Sequence, residues 1–338
     1  MIIIDIQLTI PRRIAREIVF PVVVGLKLEK LFSFLHNHNR LVLVYHGVVT
    51  LPDHSISPGP IAVKQFEKHL SYYKQNFDVV SLDSMFQMYR DDFIPKKKTI
   101  ALTFDDGYEN NYTYAAPLLK RYDFPATMYI ISQCIEDDNR LTWYDYVDLI
   151  KNHLDVEQIN MAVFGRDQIH TVPQLRSFIK MLNITQRNVL YDQIRKLVRV
   201  EDYIPKYPRE NWKLMDKQCL KELSKSTLIE IGAHSHNHPN LGEINIEDAK
   251  REVVDSKKLI EQTINKEVRS IAFPDGSYTD AVKKVCLEAG FKNLLAVNYR
   301  CASDISDKSI LPRYGLSSTT TFESNMIQVN RQFKNYGF

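Results

Sequence analysis

Two short stretches concentrate the side chains able to do chemistry together. The first, TFDDGYENN at 103–111, places Asp105 and Asp106 side by side before Gly107. Adjacent carboxylates repel and are costly to bury without partners. Taken alone, Asp-Asp-Gly after an apolar run is ordinary turn chemistry. A cation changes that reading, because one carboxylate could bind it while the other did proton work. The second stretch, IGAHSHNHPN at 231–240, places His234, His236 and His238 two residues apart. Three of the ten histidines fall there, which packing explains poorly. Imidazole suits zinc and neighbouring transition metals. A third stretch, IAFPDGSY at 271–278, sets Pro274, Asp275 and Gly276 in a tight turn. Such a turn is either plain punctuation or a presenter of backbone N–H groups to a developing oxyanion.

These stretches need a scaffold that brings them together. From residue 41 the 338-residue chain alternates short apolar runs with helical patterns. Strands are expected at 41–45, 79–82, 99–104, 126–131, 228–233, 270–273 and 293–297. Helices are expected at 63–75, 83–90, 111–122, 246–263 and 279–290, the last capped by Thr279 and ended by Gly290. Nearly continuous apolar strands alternating with helices imply parallel strands covered by helices, in an open α/β sheet or a barrel. Parallel strands deliver their following loops to one end. An aspartate from the first loop and two histidines from the second then give three ligands with open positions, the catalytic pattern for zinc. The remaining carboxylate is left to act on water.

Residues 133–226 break the alternation with polar, mostly helical sequence. The stretch reads as an insertion over the site-bearing mouth. Trp143, Tyr144, Tyr146 and Trp212 are either its core or an aromatic rim for sugar. The first 40 residues are apolar but interrupted by Arg12, Arg13, Arg16 and Glu17. They lack the ~18 apolar residues of a spanning helix and the plan of a secretory signal. They read as a packing arm or as a segment lying on an anionic membrane surface. That reading puts the protein in the cytoplasm, peripheral on the inner face of the membrane. A net charge of +3 gives no ground for nucleic acid as a partner. Four dispersed cysteines, Cys134, Cys219, Cys286 and Cys301, form neither a disulfide framework nor a zinc-finger pattern.

TFDDGY, GAHSHNHP and the FPDG turn, in that order, resemble the NodB-homology polysaccharide deacetylases, carbohydrate esterase family 4. The resemblance spans roughly 41–132 and 228–316. It implies an α/β fold, a distorted (β/α) barrel over 41–338 interrupted by the helical insertion 133–226. It also implies metal-dependent removal of an N-acetyl group from an amino sugar in a polysaccharide or glycolipid precursor. The alternatives are hydrolysis of a non-sugar C–N bond on the same fold, or a non-catalytic glycan-binding relative. By this resemblance Asp105 is the base, and Asp106, His234 and His238 hold the metal, zinc first, with cobalt, nickel or manganese as substitutes. His236 falls at a variable position. Two family features are missing. Ala272 stands where an arginine is usual in the third motif, and ILPRYGL at 310–316 has Arg313 but no histidine. VYHGV at 44–48 resembles the poly-N-acetylglucosamine deacetylase branch, which makes His46 the candidate acid. Pro274, Asp275, Gly276 and Arg313 are the candidates for substrate and oxyanion contacts.

Overall fold

A computed structural model describes residues 18–333, apart from 27, 29–38, 54, 58, 137–140, 165–170, 183 and 197–198. The expected N-terminal arm lies mostly outside these residues. No helix among those described is long and apolar enough to cross a membrane.

The strands are β1 (Arg40–Tyr45), β2 (Val48–Val49), β3 (Ile61–Ala62), β4 (Asp78–Val79), β5 (Thr99–Phe104), β6 (Ala126–Ile130), β7 (Ile229–Ala233), β8 (Ser270–Ala272), β9 (Asn293–Ala296), β10 (Ile310–Pro312) and β11 (Tyr314–Gly315). All the main-sheet pairings are parallel, in the order β10-β9-β8-β7-β6-β5-β1-β11, with β4 beside β5. The two ends of that order are one piece of chain. Ile310–Pro312 bonds to β9, and Tyr314–Gly315 bonds to β1. The segment 310–315 therefore nearly closes the sheet into a barrel, with Arg313 at the join.

Side-chain alternation along each strand divides the molecule into two layers. Leu41, Leu43, Ile100, Leu102, Met128, Ile231, Ile271 and Leu294 face outward into the large core shared with the helices. Phe66, Leu70 and Tyr73 of the helix Val63–Asn76 and Ala249, Val253 and Ile260 of the helix Ile246–Ile264 complete that core. Val42, Ala101, Tyr129, Ala272, Leu295 and Leu311 face inward. Leu82, Met85 and Phe86 of the helix Leu82–Arg90 join the inner set and plug the end where the strands begin. Gly232 makes room inside for Tyr129, because a Cβ there would lie 2.3 Å from the Tyr129 ring.

The expected strand at 79–82 is corrected by the structure. It ends at Val79, because the Ser81 hydroxyl accepts from the Ser84 N–H and starts a helix at Leu82. The pattern at 111–122 is helical, but it begins as a wide π turn over Asn111–Ala115 before the helix Ala116–Tyr122. Pro117 has no N–H to donate to the preceding turn, which permits that irregularity. The Thr279 cap and the Gly290 end are as expected; the Thr279 hydroxyl accepts from the Val282 N–H, and Gly290 has φ +89°.

The insertion has its own core. Tyr146, Val147, Leu149 and Ile150 of the helix Trp143–His153 pack with Leu175, Ile179, Leu190, Ile204 and Trp212. Its last part returns to the barrel. Leu214 bridges to Tyr108, and Met215, Leu220 and Leu223 join the main core.

Candidate metal centre and active site

Asp105 continues the inward alternation of Ala101 and Thr103 on β5, so its carboxylate enters the barrel mouth. Asp106 has the opposite parity but adopts φ +71°, and Gly107 follows at φ +77°. These two left-handed residues turn the chain sharply and bring Asp106 back to the mouth. A side chain on Gly107 would also crowd Ile130, whose Cδ1 lies 3.1 Å from the Cβ position.

The histidines arrive from the end of β7. His234 is buried, and its Nδ1 donates to the Ala272 carbonyl at 2.8 Å. That bond leaves the Nε2 lone pair facing Asp106 Oδ1, 3.5 Å away. The loop then bends through Ser235 (φ +61°) and His238 (φ +56°), and His238 Nε2 also lies 3.5 Å from Asp106 Oδ1. Glu252 holds this bend. Its Oε2 accepts from the His236 and Asn237 N–H groups at 2.9 and 2.7 Å, and its Oε1 accepts from Asn237 Nδ2 at 2.7 Å. His236 turns away from the site, and its Nδ1 meets the Ser132 hydroxyl at 2.8 Å.

One ligand atom from each of Asp106, His234 and His238 falls within 4.8 Å of the others, and all three residues are buried. Burial lowers both imidazoles, so each is a neutral lone-pair donor. Burial raises the Asp106 carboxyl; His46 and His238 oppose this, and the Asp105 charge adds to it. An anionic oxygen and two neutral nitrogens fit a divalent transition metal with open positions. One contact bears on the His238 tautomer. The Trp143 indole N–H approaches His238 Nδ1 at 3.3 Å, which places the neutral ring's proton on Nε2. A cation held at Nε2 would require that proton on Nδ1.

Asp105 stands apart from this trio. Its Oδ2 is 3.8 Å from His234 Nε2. Arg313, buried at the barrel join, donates Nη1 to Oδ1 at 2.6 Å and Nη2 to Oδ2 at 2.8 Å. Burial would raise the Asp105 carboxyl, but Arg313, with His234 and His46, holds it well below the usual carboxylate range. Ala272, where a third-motif arginine is usual, contributes its carbonyl to His234 instead. Arg313, a candidate for substrate or oxyanion contact, has both terminal nitrogens on the Asp105 carboxylate. Only the inward parity shared with Leu311 hinted at this in the sequence.

His46, half-buried just after β1, lines the same cleft and lies close enough to bias both aspartates. Asp275 and Gly276 also line it. Pro274 has no N–H, and the Gly276 N–H is donated to the Phe273 carbonyl at 2.9 Å. That leaves the Asp275 N–H as the turn's remaining candidate for an oxyanion contact. Of the four aromatics, Trp143 and Tyr144 line the cleft, and Trp143 is also buried with Tyr146 and Trp212 in the insertion core. The cleft encloses about 990 Å³.

The polysaccharide deacetylase family model matches residues 94–294. The chain belongs to the polysaccharide deacetylase family. Among curated proteins it is 32% identical over 108 residues to "Putative polysaccharide deacetylase YxkH" of Bacillus subtilis (strain 168), a match covering 31% of this chain and 39% of that protein. The chain thus spans well under two thirds of that relative's length. Among solved structures it resembles the Streptococcus pyogenes deacetylase PplD, determined in complex with acetate, at TM-score 0.56 and 18% identity over 85% of this chain and 96% of that one. It also resembles IcaB from Ammonifex degensii at TM-score 0.57 and 15% identity, over 88% and 98%. A de-N-acetylase from Aggregatibacter actinomycetemcomitans matches at TM-score 0.54 and 18% identity, over 86% and 99%. At these identities the structural matches establish the distorted (β/α) barrel fold.

Proposed function

We propose that this family member is a metal-dependent hydrolase removing the N-acetyl group from an amino sugar of a glycan or glycolipid. The observation that carries the reading is the division of the aspartate pair. Asp106 joins His234 and His238 around one point, while Asp105 stays outside that set, held by Arg313.

A divalent cation held by Asp106, His234 and His238, zinc by ligand type, supplies Lewis acidity toward an acyl oxygen and toward water. The chain supplies the remainder. Asp105, kept ionised by Arg313, takes one proton from the attacking water as its oxygen bonds to the acyl carbon. His46 protonates the amine nitrogen as the C–N bond breaks, leaving acetate and a free amine. The Asp275 N–H is the candidate donor to the acyl oxygen. Trp143 and Tyr144 offer aromatic surface to the sugar, a common use of amphipathic rings at binding sites.

The test is acetate release from N-acetylglucosamine oligomers and from other acetylated amino sugars. Activity should vanish on chelation and return with zinc, cobalt, nickel or manganese. Failure of every acetylated sugar with metal-loaded protein would overturn the reading. Contact of the N-terminal segment with anionic membrane is part of the same proposal, supported by the exposed Ile18, Val22 and Leu26. Co-sedimentation with anionic vesicles, compared with a folded chain starting near Leu41, tests it.

A further inference from the structure

The cleft extends past the metal ligands onto the insertion, and that wall is cationic. Lys151, Arg176, Ser177 and Lys180 line the same cavity as Asp105, Asp106 and His238. The helix Trp143–His153 begins on the site, with Trp143 against His238. Lys151 follows eight residues later, about 12 Å along the axis at 1.5 Å per residue. Arg176 and Lys180 are four residues apart on the helix Val172–Met181, so both present to one face. Lys180 pairs at 2.9 Å with Asp275, which lines the cleft with the metal-ligand candidates.

Two carboxylates serve these three cations. Asp148, fully buried beneath the wall, accepts through Oδ1 from Lys151 Nζ at 2.8 Å and from Arg176 Nη2. Two like charges are thereby held together over a single counter-charge. Lys151, Arg176 and Lys180 keep 27, 35 and 38% of their side chains exposed. The wall therefore offers surplus positive charge to the cleft. A neutral glycan has no use for that surplus. A forked guanidinium flanked by two ammonium groups matches the oxygens of a phosphoryl or a carboxylate group.

We propose that the wall formed by Lys151, Arg176 and Lys180 binds an anionic group of the substrate, phosphoryl or carboxylate, carried close to the acetylated sugar. This inference rests on the deacetylase reading and narrows its substrate to charged glycans or glycan phosphates.

Calorimetry with the full metal-loaded chain tests it without relying on turnover. The probes are N-acetylglucosamine, N-acetylglucosamine 1-phosphate and an N-acetylglucosamine–glucuronate disaccharide. One or both charged probes should bind at least about tenfold tighter than the neutral sugar, with an advantage that shrinks as salt rises. Arg176→Gln and Lys180→Gln should each reduce that advantage severalfold, leaving metal content and neutral-sugar affinity unchanged, while Arg176→Lys retains part of it. Which charged probe gains distinguishes a phosphate from a uronate. Equal binding of charged and neutral probes overturns the proposal. So does an advantage that survives both substitutions, since the metal ion alone would then hold the anion. Circular dichroism establishes that each variant is folded. If the deacetylase reading alone fails, no probe releases acetate and the charge preference persists.

Discussion

Both terminal nitrogens of Arg313 close on both oxygens of Asp105, at 2.6 and 2.8 Å, although the two residues lie 208 apart in the chain. A fork of this kind fixes the carboxylate plane as well as its charge. Arg313→Gln strands a buried carboxylate and is expected to destabilise the fold by about 3–5 kcal/mol, as loss of one partner of a buried pair does. Arg313→Lys keeps the charge and loses the fork. Its kcat should fall by more than about tenfold with metal content intact, since misplacing a proton acceptor slows transfer. Wild-type kcat in a folded, metal-loaded Arg313→Lys protein would show that the fork does not position Asp105.

Metal content separates the two aspartates. Asp106→Asn, His234→Ala and His238→Ala should each purify with far less than one ion per chain. Asp105→Asn should keep its ion and lose about 10²–10⁴-fold in rate, the range of a missing general base. Glu252→Gln tests the loop that carries the histidines, because an amide cannot accept from both backbone N–H groups and Asn237 Nδ2. Weaker zinc affinity by chelator competition is expected there, on an otherwise folded chain.

His46 should matter in proportion to how badly the leaving group needs a proton. His46→Gln is expected to retain one metal ion and to lose N-acetyl hydrolysis sharply. Hydrolysis of an aryl acetate ester, whose leaving group departs without protonation, should suffer far less. Equal losses on the two substrates would assign His46 a positioning role instead.

Stability should fall in acid because of His69, which is buried among Tyr45, Tyr73 and Phe322. Its Nδ1 contacts the Tyr45 hydroxyl at 3.0 Å, its Nε2 has no partner among the described residues, and burial lowers it from 6.5 to about 3. Below pH 6.5 the unfolded chain takes up a proton that the folded chain refuses. The His69 contribution is thus complete above pH 6.5 and drains away as pH falls toward 3. Each unit of separation is worth about 1.4 kcal/mol. Urea unfolding at pH 7, 5.5 and 4.5 should show a steeper decline for wild type than for His69→Gln. Parallel declines would mean that His69 opens to solvent or is charged in the folded state.

The amino-acid sequence by itself determined strands β1 and β5 to β9 of the barrel, the mouth on which the loops gather and the three metal-binding candidates. All of these depend on local signals: apolar runs, period-two alternation, and clustered Asp or His directly after a strand. The strand expected at 79–82 failed for a local reason too, since the Ser81 cap outweighed the β-branched pair before it. Pairings between distant segments were decided only by the tertiary structure. Closure of the sheet at 310–315 carries Arg313 to Asp105, and the Ile246–Ile264 helix places Glu252 under the histidine loop. The insertion's fold turns Trp143 and Tyr144 to the cleft and buries Tyr146 and Trp212. Such contacts leave no spacing to read, because their geometry is set by barrel register and helix packing over hundreds of residues.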